Sequence, residues 1–174
     1  MLKIFMRIGA LSLVALFLLS GCLISILVLV DEEISTTTVP GPFFAEFVDV
    51  TDEEDWIDHE DDIEFVNWVS FDLWLTNPSS IDITFEGYID DADNPACSDV
   101  PCAMTKTRIL RPITIPGSST RHITAGESLG FIENMPLMKT LAQEGRFNFY
   151  GVSTGGTFVV DSGRVVVAVV VSGS

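Results

Sequence analysis

Two cysteines, two histidines, a few hydroxyls and two dense groups of acids are the side chains of this sequence whose types and spacing admit chemistry. Cys97 and Cys102 enclose Ser-Asp-Val-Pro, and in an oxidising compartment an isolated pair in so short a loop is read as a disulfide. A zinc site would need further ligands, and no Cys-x-x-Cys or neighbouring histidine supplies them. Oxygen ligands for calcium are offered twice, by the acidic stretch 52–62 and by Asp90, Asp91, Asp93 and Asn94. The stretch 52–62 lacks the glycine and terminal glutamate of a calcium-binding helix–loop–helix, and aspartates crowd turns for backbone reasons alone. Solvated loops are therefore the reading for both, with a calcium-dependent module as the alternative. Ser118, Ser119 and His122 lie too close in sequence to count as a nucleophile and its base, and neither serine sits in a Gly-x-Ser-x-Gly elbow. Gly155-Gly156 has no following Lys-Ser/Thr and reads as a turn, not a phosphate cradle. A hydrolase ranks last; the residues predict a chain that is not an enzyme and has no cofactor.

Charge narrows the partners. The chain holds 25 Asp and Glu against 9 Lys and Arg, a net charge of −16. Binding to nucleic acid rests on neutralising phosphates, so a nucleic-acid partner is excluded as a class. Docking to an anionic bilayer through charge is disfavoured for the same reason.

The third cysteine lies elsewhere. Lys3 and Arg7 precede an apolar run from Ile8 to Val30, the pattern of an export signal or a membrane span. Inside it, Leu19-Ser20-Gly21-Cys22 resembles the lipobox of bacterial lipoproteins, in which the cysteine is lipidated and becomes the new N-terminus. The resemblance implies a signal peptide over 1–22, lipid attachment at Cys22, and an extracytoplasmic protein held at the membrane of a bacterial cell envelope. The apolar run continues past Cys22, so an uncleaved apolar helix over 8–30 is the alternative anchor. Both leave the rest of the chain on the same side, because Lys3 and Arg7 stay in the cytoplasm. Residues 23–42, ending in a Thr- and Pro-rich stretch, read as a membrane-proximal segment and linker. The folded domain is expected over 43–174.

Within that domain the dominant periodicity is two. The odd positions Phe65, Asn67, Val69, Phe71, Leu73 and Leu75 alternate with polar ones and predict a long half-buried strand. Trp68 and Trp74 fall on its other, outer face, where a protein or glycan partner could be met. Ile81, Ile83, Phe85 and Ile89 repeat the alternation, and the intervening Asn77-Pro78-Ser79-Ser80 predicts a turn that makes the two strands a hairpin. Further strands are predicted over 105–115, 120–124, 129–132, 147–152, 157–160 and 164–171, with a glycine-turn hairpin between 147–152 and 157–160. Pro112 assigns its strand to a sheet edge. The unalternating Val165–Val171 must be covered on both faces. Asn134 as a cap, Pro136 in the first turn and Gly145 as terminator predict one short helix over 134–144.

Leu75-Thr76-Asn77-Pro78 between two alternating strands resembles the Asn-Pro signature of late-embryogenesis-abundant type 2 domains, small immunoglobulin- or fibronectin-like β-sandwiches. Ile113-Thr-Ile-Pro116-Gly117 and the closing segment with Phe147, Tyr150 and Gly151 are similar in kind. The acidic stretch and the cysteine loop depart from that pattern. The resemblance implies a binding or structural module without catalytic residues. The expected object is thus an all-β sandwich of about seven to nine strands with one short helix, preceded by an N-terminal apolar helix.

Overall fold

The computed structural model describes residues 25–37 and 39–172. The signal peptide, Cys22 and the N-terminal apolar helix lie outside the described residues. Eight strands form two antiparallel four-stranded sheets: β1 (Ser25–Ile34), β8 (Val159–Ser172), β3 (Ile63–Asn77) and β6 (Ser119–Ile123) in the first, and β2 (Phe43–Asp49), β7 (Arg146–Thr154), β4 (Ile83–Asp91) and β5 (Thr107–Ile115) in the second. Their inner faces meet in one core, where Phe71 of β3 stacks on Phe149 of β7 at 4.8 Å. The second sheet carries a pair of facing glycines, Gly87 and Gly151. A methyl group on Gly151 would lie 2.8 Å from the Phe85 ring, so these two positions leave room for Phe85 and Leu110 to fill the interior.

The first correction concerns residues 23–42. Ser25–Ile34 is not a membrane-proximal linker but the edge strand of the first sheet, and every residue from Ser25 to Ile34 has a partner in β8. Val30 and Ile34 are buried on the inner side beside Val167 and Gly163. The same pairing places residues 25–30, the last six of the apolar run 8–30, in the sheet. The valine-rich β8 needs this neighbour: with β3 on one side and β1 on the other, its backbone groups are paired along both edges. The folded unit accordingly begins before residue 43.

The second correction concerns pairing. Neither expected hairpin exists, since β3 and β4 lie in different sheets, as do β7 and β8. The Asn77-Pro78-Ser79-Ser80 turn carries the chain across the sandwich. Asn77 is fully buried there; its Nδ2 donates to the carbonyls of Ile81, Ile115 and Pro116, and its Oδ1 accepts from the Ser79 backbone N–H and hydroxyl. The expected strands at 157–160 and 164–171 are one strand, β8, which pairs with β3 through an irregularity next to Ser162. Pro112 does sit on an edge strand, β5.

Helices complete the sides. They are α1 (Glu54–Ile57), α2 (Val100–Ala103), α3 (Ala125–Leu129) and α4 (Met135–Gln143). The expected short strand at 129–132 is mostly replaced by α3, with Ile132 keeping a single bridge to Leu110. The predicted helix is α4, capped by Asn134 Oδ1 on the Leu137 N–H and followed by Gly145 at φ 82°. β6 covers only the 73–77 end of β3. Beyond it, Ser128 of α3 accepts the Phe71 N–H and Gln143 of α4 accepts the Val66 N–H, so two backbone groups on the rest of that edge are satisfied by side chains.

Candidate functional site

The two sheets differ in what covers their outer faces. On the second, the loop after β4 folds back over Tyr88, Tyr150 and Val152, with Cys97 and Ala103 buried against them. Cys97 and Cys102 are disulfide-bonded with Cα atoms 5.5 Å apart, and the Cys97 N–H donates to the Tyr150 hydroxyl. Burial and the Glu86 carboxylate beneath push the Tyr88 hydroxyl up to about 12.

Among the described residues no comparable cover lies over the first sheet, although the small Ser70, Val166 and Ala168 on it are buried between their neighbours. Its outer residues form rows across β1, β8 and β3. Leu27, Val170 and Phe65 make the first, and Leu29, Ala168 and Trp68 the second. Asp31, Val166 and Ser70 follow, then Glu33, Arg164 and Asp72. The last row runs from Ser162 through Trp74 to His122 of β6. The face thus passes from wholly apolar at the N-terminal end of β1 to charged and aromatic at the other.

Phe65 reached this face against expectation. Register shifts on either side of Val66 place Val66 inside opposite Val169 and turn Phe65 outward, where it is 48% exposed. Strict alternation predicts the reverse. Nothing in the residue types marks an inserted residue in such a strand.

At the polar end, Trp74 is 42% exposed and its ring stacks on His122 at 4.1 Å between centroids. His122 Nε2 lies 2.9 Å from Asp72 Oδ1. Arg164 donates to Asp31 at 3.1 Å and approaches the other oxygen of Asp72 at 4.0 Å. Glu33, Asp72, Ser162, Gly163 and Arg164 line a shallow depression of ≈ 220 Å³. One ring face, two carboxylates, a guanidinium and an imidazole thus converge without enclosing anything. Such a surface grips a partner by stacking and charge-assisted hydrogen bonds. Of these residues only Trp74 was legible beforehand as a contact; Asp72 and Arg164 meet because β3 and β8 are neighbours, which the sequence does not announce.

The other predicted residues fall elsewhere. Burial alone would raise the Asp90 carboxyl, yet hydrogen bonds from Lys106 and Asn94 hold it below its ordinary range. Asp91 accepts the Asp93 N–H, and both line a depression with Glu144 and Arg146. Lys106 on Asp90 and Arg146 beside Asp91 and Asp93 put basic groups where a cation would stand. Among the described residues no three His, Cys, Asp or Glu side chains are arranged to hold a metal ion. The acidic stretch 52–62 forms short helical turns pinned by the buried Trp56, while Ile57 is exposed. Asp49 caps its start, accepting from the Thr51 N–H. Among the described residues no hydroxyl hydrogen-bonds His122, and Ser119 Oγ donates to the Pro116 carbonyl instead.

A separate acidic seam runs where the edge strands β1 and β2 approach. Glu32 shares the inward side of β1 with Val30 and Ile34. Burial, a hydrogen bond with Glu53 and the charges of Glu53, Asp49 and Glu46 raise its carboxyl from 4.5 to about 7.

Compared with known protein families, curated proteins and solved structures, the chain matches none of them.

Proposed function

We propose that this chain is a cell-envelope lipoprotein whose sandwich is a non-catalytic binding module, held outside the cytoplasm through Cys22. The observation that carries the binding role is the polar end of the first sheet's outer face, where Trp74 is exposed on His122 beside Asp72 and Arg164. The covered second sheet makes the contrast. An envelope protein or glycan is the partner suited to an open aromatic and ionic surface. The Asn-Pro likeness to late-embryogenesis-abundant type 2 domains belongs to the same reading, since those are binding or structural modules.

Placing residues 25–30 in β1 favours lipid over a helical span as the anchor. The apolar run left before the strand is residues 8–24, at the short limit of the ~20 residues a helical span uses. Cys22 then sits three residues before the strand begins.

The test is capture of partners from envelope extracts by the wild-type protein and by Trp74→Ser. The side chain is half-exposed and outside the core, so the variant should fold with an unchanged melting temperature while its captured partners are lost. Identical capture by a folded Trp74→Ser would exclude this face.

A further inference from the structure

The apolar end of the same face has no place in the binding surface around Trp74. Leu27 and Leu29 are 49% and 48% exposed and Phe65 48%, and they stand on adjacent strands with Val170 and Trp68 between and beside them. Single exposed apolar side chains are ordinary; a contiguous group of three, joined by the partly exposed Val170 and Trp68, is not. What singles this end out is where the chain enters it. The apolar run 8–24 leads directly into Ser25, and Leu27 is only five residues beyond Cys22. Fully extended, five residues span at most about 18 Å. Neighbouring strands are ~4.8 Å apart, so Phe65 lies only about 10 Å further across the sheet.

We infer that this end of the first sheet rests in the interfacial layer of the bilayer that holds the N-terminus, with Leu27, Leu29, Phe65 and Trp68 as its lipid contacts. The inference rests on the anchored reading above and deepens it by giving the module an orientation. Aliphatic side chains with an aromatic pair suit the headgroup–acyl boundary, where tryptophan is favoured. The surrounding charge selects the lipid. Asp31 borders the patch and Glu64 is exposed beside Phe65, while the turn Glu60–Asp62 is tied to this end by Ser172 Oγ on the Asp62 carbonyl. Anionic headgroups are repelled, so the contact is apolar and persists at high salt. Trp74 is nine positions along β3 from Phe65, roughly 25–30 Å at strand rise, so the polar end stands clear of the lipid.

The experiment uses the full chain in phosphatidylcholine vesicles whose acyl chains are brominated near the headgroup, so that only tryptophan in the interface is quenched. Flotation reports anchoring and fluorescence reports docking. The chain should float, and its emission should be quenched at low and high salt. Quenching should be lost in Trp68→Phe, retained in Trp74→Phe, and lost in the floating double variant Leu29→Ser/Phe65→Ser, whose melting temperature confirms its fold. A chain that does not float overturns the anchor and the docking together. One that floats unquenched, or is quenched through Trp74, overturns the docking alone. A dimer in neutral detergent that Leu29→Ser converts to monomer assigns the face to a second copy and also overturns it.

Discussion

Asn77 does at one residue what the turn around it cannot do alone. Its buried amide holds three carbonyls from two segments while its oxygen receives Ser79, which fixes the crossing between the sheets. Asn77→Ala leaves those buried carbonyls unsatisfied, and its cost is about 2–3 kcal/mol, readable by denaturant titration. Glu32 is the opposite case, an acid placed where the fold disfavours its charge. Its carboxyl titrates near 7 in the fold against 4.5 ordinarily, so the folded state binds the proton more tightly than the unfolded one. Stability is therefore lost as pH rises from the ordinary value through 7. Glu32→Gln should raise the unfolding free energy at pH 8 by about 1 kcal/mol after solvent screening, read by denaturant titration, and leave it unchanged near pH 4. An equal effect at both values would detach Glu32 from the acidic seam. As an inward-pointing charge on an edge strand, it also discourages pairing with another chain.

At the scale of elements, the sequence predicted strands far better than it predicted their partners. Alternation located β3, β4, β5 and β7, and the cap, proline and terminal glycine located α4. Alternation says that a strand is half-buried; it does not say against which neighbour. A turn that closes a hairpin and one that crosses a sandwich use the same Asn, Pro, Ser and Gly residues, so both hairpins were misassigned for one reason. β1 was hidden differently. Its Ile26, Val28 and Val30 continue the apolar run of the anchor, and in a row of aliphatic residues the two-residue period of an edge strand is invisible. Val30 tests that assignment, since it is fully buried between Val167 and the core. Val30→Ala should cost about 2 kcal/mol, from two lost methyl groups and the cavity they leave. A membrane-proximal linker would show no loss in the same unfolding curve.

For the whole molecule, the sandwich separates a covered sheet from an open one, and the open face is divided again into an apolar end and a polar end. The division follows the chain: β1 leaves the N-terminal apolar run at one end and reaches Asp31 and Glu33 towards the other. On the proposed anchoring at Cys22, that polarity would orient the domain with the Trp74 cluster away from the membrane. The lipobox-like Leu19-Ser20-Gly21-Cys22 could be read at all because it is contiguous, whereas the face is assembled from four strands scattered between residues 27 and 170. Everything in this account depends on that tetrad fixing where the domain stands. Metabolic acyl labelling of the wild-type chain and of Cys22→Ala, with the mature mass determined for both, is the direct measurement. The account predicts a labelled, shortened, membrane-bound wild type exposed to protease added outside the cytoplasmic membrane, and an unlabelled, unprocessed variant. A wild type without label, at the same full-length mass as Cys22→Ala, would contradict it.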